Sequence, residues 1–593
     1  MGALLTVSWP RIFAGLVLCA LGFPACTKTE PSTQTTELTD VAGDATQDAT
    51  QDVSTQPAPL TVVQLDPQSP APFQLAVQAC AGLTNRKAGG SVFVQLDPHD
   101  KTWLEELAIK VDETVSAAQF LTTCVAAFPS CVRYDYKKQQ ALLPNILTVA
   151  AALDAVPLDS ASTLTCGTVA FDAIQTFQEK NTPELATQYV FEHYVQQTTG
   201  LAMLNPGYED PAADPAHPAL KRDMHGSLVD FVFSQKLFVV FLVNGCVDGN
   251  PEKAVLSSVV NAGHWPTPLG VYGYNNSWNV AGGDLYEAQT RCLDSRNMGA
   301  IASETGNLSF FSTRRAPIKA ANVVTQNALE PIVYDPQKTY VAFMVGDGDN
   351  VAYMMTTRHD WFRQRITECK AAGSACPPLT WTISPHLAYL APDLLEWYYA
   401  ASHQTGKDYF TLPPSGHLYA YPSSLADAEQ DKFVTATQDD ARILGVTGTV
   451  HWDWTDSWHD AEDKFLPKYA TADGAIRGIF PVNVPYMFPA FDWWPTDRFF
   501  EVLTGKDGGK VAVFKPREWR GVKNDADPFF LSPQKMADEI TAFPKGTVSW
   551  VYMTSDGGLS LDNSFLAMAK LLPAHVQLVS ADTAAKLALA AGK

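Results

Sequence analysis

Positive charge is scarce in this chain. Its 593 residues carry 42 Lys and Arg against 63 Asp and Glu, a formal net charge of −21. A protein that grips nucleic acid needs a basic face to neutralise phosphates, so this balance excludes a nucleic-acid partner. Cysteine is sparse as well, ten residues in all. No Cys-x-x-Cys occurs, which removes zinc-ribbon and thioredoxin-like readings. A P-loop, a Gly-x-Gly-x-x-Gly turn, a Gly-x-Ser-x-Gly elbow and a His-Glu-x-x-His helix are missing too. Nucleotide-cofactor and serine-esterase readings lose their support, and the sequence predicts neither a cofactor nor a resident metal.

The one long apolar run near the start, residues 12–23, follows Arg11 and ends at Pro24-Ala25-Cys26. It is shorter than the roughly 20 residues that cross a bilayer. It has the length and flanks of a secretory signal, with a small residue before the cut. Cys26 directly after that cut is similar to the acylated cysteine of a lipoprotein. Residues 1–25 are therefore read as a lipoprotein signal peptide and Cys26 as the lipidation site. Phe23 and Pro24 are unusual beside such a site, so an ordinary signal peptide is the alternative. Residues 26–60 are rich in Thr, Gln and Asp, with the repeat Asp44-Ala-Thr-Gln-Asp48-Ala-Thr-Gln-Asp52. Such a segment cannot bury a core and suits a disordered tether between membrane and folded domain. This predicts an exported protein, at the cell surface or in the periplasm, held to the membrane by its N-terminal lipid alone.

Without Cys19 and Cys26, eight cysteines remain. An even number in an exported chain points to disulfides. Close pairs such as Cys124/Cys131 and Cys369/Cys376 are candidates, but spacing does not fix the connectivity.

Residues 61–334 mix strand and helix patterns and are read as one or two α/β domains. Residues 91–96 and 269–273 have strand character; 72–83, 103–111 and 284–298 have helical character; 230–243 is apolar enough for either. Residues 335–593 are more regular. Strand candidates at 340–345, 379–383, 409–412, 448–452, 478–482, 511–514, 548–553 and 576–579 are separated by helix-length stretches such as 392–403 and 533–542. Strands alternating with helices make parallel βαβ units. Eight units in that length predict a C-terminal (β/α)8-like, TIM-type barrel, with a doubly wound open sheet as the alternative.

A barrel keeps its chemistry at the carboxyl ends of its strands. Here those ends carry Gly346-Asp347-Gly348-Asp349-Asn350, Ser384-Pro385-His386, Asp453-Trp454, Asn483, Lys515-Pro516-Arg517-Glu518 and Ser555-Asp556-Gly557. Glycoside hydrolysis needs two carboxyl groups, one to protonate the leaving oxygen and one to attack or to activate water. Asp347, Asp349, Asp453 and Asp556 are the candidates, although Asp-Gly and Asp-Asn pairs are also ordinary turn formers. Asn350, His386, His417, Tyr419, Tyr421, Trp452 and Trp454 are the candidate substrate-binding residues. The chain has 14 Trp and 20 Tyr, and aromatic rings can serve either as sugar platforms or as core.

Gly416-His417-Leu418-Tyr419-Ala420-Tyr421-Pro422 resembles the signature of the GxGYxYP family of putative glycoside hydrolases, with Leu418 in place of the second Gly. Tyr340-Val-Ala-Phe-Met-Val-Gly-Asp-Gly-Asp-Asn350, Trp381-Thr-Ile-Ser-Pro385 and Ala391-Pro-Asp-Leu-Leu395 resemble the same family in order and spacing. So do Leu83-Thr-Asn-Arg86 and Asn307-Leu308-Ser309 further upstream. The resemblance implies a barrel-like C-terminal domain and a glycosidase acting on an extracellular oligo- or polysaccharide. It supplies no catalytic pair of its own. A non-catalytic carbohydrate-binding lipoprotein and a metal-dependent hydrolase or deacetylase on a similar barrel are the competing readings.

Overall fold

The computed structural model describes residues 59–206, 228–273, 285–483, 490–520, 531–553 and 564–592, apart from 97, 263 and 322. Asp556, Cys26, the signal segment and nearly all of the tether lie outside the described residues. From Pro57 to Lys593 the chain forms one compact unit of mixed α/β structure.

The first half holds three small parallel sheets. Thr61–Gln64 runs between Val92–Gln95 and Glu113–Ser116. Ser130–Tyr134 runs between Val156–Asp159 and Thr168–Asp172. The third sheet carries Leu201–Ala202, Phe238–Val239, Leu269–Tyr272 and Met298–Ile301. Local signals were legible here, but their ends shift. The helix expected over 103–111 spans Pro98–Glu106, and Ala108, with φ 50°, turns the chain out of it. The apolar run 230–243 divides into helix Val229–Gln235 and strand Phe238–Val239, because Lys236 is left-handed between them. The helix expected over 284–298 spans Leu285–Asp294, and Met298 already belongs to a strand.

In the second half every expected strand is present, its ends within one residue or so of the pattern. Asp408–Thr411, Leu379–Thr382, Thr339–Val345, Val548–Met553 and Glu518–Trp519 pair in that order, all parallel, and Val576–Val579 also pairs with Thr339–Val345. Gly448–His451, Gly478–Pro481 and Lys510–Phe514 form a second parallel set, flanked by the antiparallel strand Phe500–Thr504. A parallel bridge from Leu412 to Thr449 joins the two sets on one side.

Alternation along these strands divides the core in two. Tyr340, Ala342 and Met344 enter one apolar cluster with Val548, Trp550, Tyr552, Val450, Phe480, Ala512 and Phe514. Val341, Phe343, Val345, Val551 and Met553 enter another, shared with the surrounding helices. Fully burying a side chain of this kind contributes about 1.5–3 kcal/mol, so each face is strongly specified. The C-terminal helix Ala581–Ala591 presents Ala581, Ala584, Leu587 and Ala588 to the first cluster. Helices Pro392–His403 and Pro533–Thr541 start on prolines, where the missing N–H has no intrahelical partner to lose.

The cysteine pairing is Cys80–Cys124, Cys131–Cys166, Cys246–Cys292 and Cys369–Cys376. The candidate Cys369/Cys376 is formed. Cys124/Cys131 is not, because Cys124 on helix Ala117–Ala127 faces Cys80 on helix Ala71–Ala88 while Cys131 lies on a strand. Four bridges suit an oxidising compartment. Among the described residues, no helix is long and apolar enough to cross a membrane.

Closing loops with sequence separations of 44 and 46 residues restricts the unfolded chain and stabilises the fold by about 4 kcal/mol per bridge on a chain-entropy account. Alkylation of the exported protein followed by intact-mass measurement is expected to label none of the eight cysteines before reduction and all eight after it. Reduction is expected to lower the melting temperature.

Candidate active site

The site is built on the turn that leaves Thr339–Val345. Gly346 donates its N–H to Met553 at 2.9 Å, and a Cβ there would lie 2.1 Å from the Tyr552 hydroxyl. Gly348 donates its N–H to Thr382 Oγ1 at 2.9 Å, and a Cβ there would lie 1.9 Å from the Thr382 carbonyl oxygen. Between these two glycines Asp347 is left-handed, with φ 62°, a conformation that costs a non-glycine residue roughly 1–2 kcal/mol. Strain of this kind, fixed by packing on both sides, is characteristic of functional turns. Arg358 donates to the carbonyls of Gly346 and Thr382 from beneath. Asn350 Oδ1 accepts from Tyr353 N at 3.0 Å, so this candidate substrate contact caps the short helix Val351–Met355.

The turn holds Asp349 in a poorly solvated place. Burial pushes its carboxyl up to about 7, and the neighbouring Asp347 carboxylate adds to the rise. A second carboxyl meets it from the first half of the chain. Glu304 follows strand Met298–Ile301, and Val351 N donates to Ala302 O at 2.9 Å, which ties the two segments together. Burial pushes Glu304 up to about 7, with the charge of Asp349 contributing. Its Oε1 is sealed from solvent and has no hydrogen-bond partner among the described residues. Tyr552 stays protonated beside Asp347 and Asp349: burial holds its hydroxyl well above the usual range, and the two carboxylates reinforce the effect. Two acids with raised affinity for protons, one after each of two strands, are candidates for an acid/base constellation.

Asp453 belongs to a different network. It is fully buried, accepts from Ser423 and Ser457 hydroxyls and from Trp454 N, and lies 3.0 Å from His451 Nε2. That many partners make it a structural tie. The neighbouring Asp294 accepts from Tyr421 N at 3.1 Å. Burial drives the Asp294 carboxyl well above the usual range, with the charge of Asp453 adding to it.

His386 and His417 do meet. Their rings are 5.3 Å apart, and His417 Nδ1 is 2.7 Å from Asp440 Oδ2. His386 Nδ1 is 3.0 Å from the Tyr389 hydroxyl, and burial pushes the His386 imidazole down to about 3, so it is neutral.

The aromatic candidates divide by exposure. Tyr421 and Trp452 are buried in the strand-lined apolar cluster, whereas Tyr419 and Trp454 are half-buried against it. The strand-end residues Asn483, Arg517 and Glu518 line a separate cavity of about 200 Å³.

The signature loop explains its own departure from pattern. Gly416 has φ 103°, and a Cβ there would lie 2.6 Å from Thr437 Cγ2. Leu418 fits because it faces glycines: a Cβ at Gly299 would lie 2.6 Å from Leu418 Cβ, and one at Gly270 would lie 2.9 Å from its Cδ2. Tyr419 and Ala300 then exchange both backbone hydrogen bonds at 2.9 Å.

A mixed α/β fold with two carboxyls of raised proton affinity, one after each of two parallel strands, defines a class of candidate acid/base proteins. Within it, residues 337–488 match the GxGYxYP putative glycoside hydrolase C-terminal domain. No curated protein matches the chain. A solved structure described as a putative hydrolase from Bacteroides thetaiotaomicron superposes with a TM-score of 0.63 at 17% identity, covering 90% of this chain and 95% of that one. That likeness is one of fold. A putative polysaccharide deacetylase from Mycobacterium smegmatis has a TM-score of 0.26 at 13% identity, over 44% of this chain and 96% of its own. A 4-alpha-glucanotransferase from Thermococcus litoralis has 0.27 at 11%, over 42% of this chain and 40% of its own. Neither of these last two carries an argument. Among the described residues, no group of three or more His, Cys, Asp or Glu side chains is arranged to hold a metal ion.

The raised carboxyls have a cost in stability. Between about pH 4 and 7 the folded chain keeps protons on Asp349 and Glu304 that the unfolded chain has released, so their contribution falls as pH rises through that window. Asp349→Asn removes this penalty. Thermal melts are expected to show the variant more stable than the parent at pH 8, with the gap shrinking toward pH 5; a gap that does not depend on pH would contradict the assignment.

Proposed function

We propose that this chain is a glycoside hydrolase acting on an extracellular carbohydrate, with Asp349 and Glu304 as its acid/base pair. The observation that carries the reading is that both carboxyls are pushed up to about 7 and that the charge of Asp349, which also acts on Tyr552, contributes to the rise at Glu304. One carboxyl of such a pair must keep its proton near neutral pH to protonate the leaving oxygen, and the other must be ionised to attack or to activate water. Two coupled acids that titrate in separate steps meet both needs. Asp347 has the role of tuning Asp349. Asp453 is assigned to structure, and Asp556, outside the described residues, stays a candidate for the same mouth. Tyr419 and Trp454 are the half-buried aromatic candidates for a sugar, Trp454 with Arg291 over its ring, and His386 and His417 are neutral or Asp-paired hydrogen-bonding candidates.

The reading includes a barrel. Its support is the order of strand pairs, the Leu412 to Thr449 bridge, and the consecutive strands Lys510–Phe514 and Glu518–Trp519, which pair with different sheets and would carry the ring across its other junction. The apolar cluster lined by alternate residues of these strands is what a closed interior requires. Export and lipidation at Cys26 complete the proposal, and the four disulfides are consistent with export.

Release of reducing sugar from a panel of polysaccharides is the test of catalysis. Asp349→Asn and Glu304→Gln are each expected to lower turnover by about 100-fold to 10,000-fold with circular dichroism unchanged, and parental kcat/KM is expected to fall above about pH 7 as the acid loses its proton. Full activity in both variants would remove the pair from the mechanism. Separately, Cys26→Ser is expected to abolish palmitate labelling and release the protein from membranes into the soluble fraction.

A further inference from the structure

A second cavity, of about 540 Å³, lies away from the carboxylates, in the sheet built on Ser130–Tyr134. Small-molecule sites fall in the range of about 300–1,000 Å³. The topology gives its position meaning. The chain leaves Ser130–Tyr134 through helix Leu143–Ala152 to Val156–Asp159 on one side, then returns to Thr168–Asp172 on the other. In parallel sheets, ligands bind outside the carboxyl ends of the strands where the order reverses in this way. Arg133 and Asp172, paired in register at the two strand ends, both line the cavity.

The lining chemistry selects the ligand. Two carboxylates are already engaged: Asp135 pairs with Lys138 at 3.0 Å, and Asp172 accepts from Gln175 N at 3.2 Å. The side chains of Arg133, Gln175, Gln178 and Asn181 have no hydrogen bond or ion pair to other described residues and line the opening. Each amide offers both donors and an acceptor, which is what a hydroxyl requires. The two cations of the lining, Arg133 and Lys138, balance its two carboxylates, Asp135 and Asp172, which favours a neutral ligand. Phe177 and Leu142, 1% and 3% exposed, close the cavity from beneath and leave its contacts to the polar side chains.

We propose that this cavity is a carbohydrate-binding site for a neutral oligosaccharide, separate from the catalytic candidates and able to hold a glycan chain on the protein. It stands independently of the catalytic reading.

The test uses the full mature chain carrying Asp349→Asn, which preserves substrate if that residue is catalytic and changes nothing here if it is not. Maltohexaose, cellohexaose and chitohexaose are added in turn, and hydrogen exchange is followed by peptide mass spectrometry. At least one hexasaccharide is expected to protect residues 133–142 and 172–181, and Arg133→Ala or the pair Gln178→Ala, Asn181→Ala to weaken that protection at least about 10-fold in midpoint concentration. These side chains are exposed, so the variants are expected to melt as the parent does. Absence of protection by all three sugars, protection by inorganic phosphate in their place, or protection undiminished in the variants would each overturn the proposal.

Discussion

The candidate site depends on one steric constraint: the turn at 346–350 has no room. Gly346 is pressed against the hydroxyl of Tyr552 and Gly348 against the carbonyl of Thr382, at distances no Cβ could occupy. The backbone between them is forced through a left-handed residue, Asp347, and hydrogen bonds to Met553 and Thr382 hold it there. Asp349, directly after Gly348, is held half-buried, and burial together with the Asp347 carboxylate raises its proton affinity. The carboxyl chemistry is therefore a consequence of packing between adjacent strands. A longer or looser turn would let Asp349 reach solvent and ionise normally.

The strands were legible because two signals agreed. Short apolar runs with β-branched and aromatic residues recur at βα spacing, and the alternating faces seal each run between two apolar layers. Phe500–Thr504 escaped notice because it is partly exposed and antiparallel, with Glu501 and Thr504 breaking its run. Asp347 and Asp349 were legible as strand-end acids; that the rings of His386 and His417 meet was not. For Asp453 the sequence cannot show that Ser423 and Ser457, 30 residues upstream and four downstream, both donate to its carboxylate. Likewise Tyr421 and Trp452 read as sugar platforms until burial placed them in the core.

Glu304 is absent from the sequence candidates because residues 284–298 read as helix, which hides the strand Met298–Ile301 and its acidic end at Glu304. What the sequence could not show is that a strand end of the first half packs beside a strand end of the second. The segments that resemble the family upstream are the residues that arrange this. Asn307 exchanges hydrogen bonds with both backbone groups of Val94 at 2.7 and 2.8 Å, and Asn85 does the same for Val92 at 2.8 Å while reaching Ser309. They tie the segment that follows Glu304 to strand Val92–Gln95 and helix Ala71–Ala88.

The signature loop belongs to the same argument. Leu418 occupies space that Gly270 and Gly299 leave open, and the Ala300–Tyr419 bridge fastens the loop to the strand that ends just before Glu304. The same strand is fastened to the turn by the Val351–Ala302 hydrogen bond. Displacing this strand would therefore alter the signature loop and separate Glu304 from Asp349 together. On this account the glycines at 270 and 299 are conditions for the site although they touch neither carboxyl. A side chain at either would push on Leu418 in a packed interior that relaxes only at a cost of about 1–3 kcal/mol. The displacement would travel along a single hydrogen-bonded strand to the carboxyl pair. The first half of the chain thus does more than support the second, because one of the two acids, and the register that sets it opposite the other, is contributed from there.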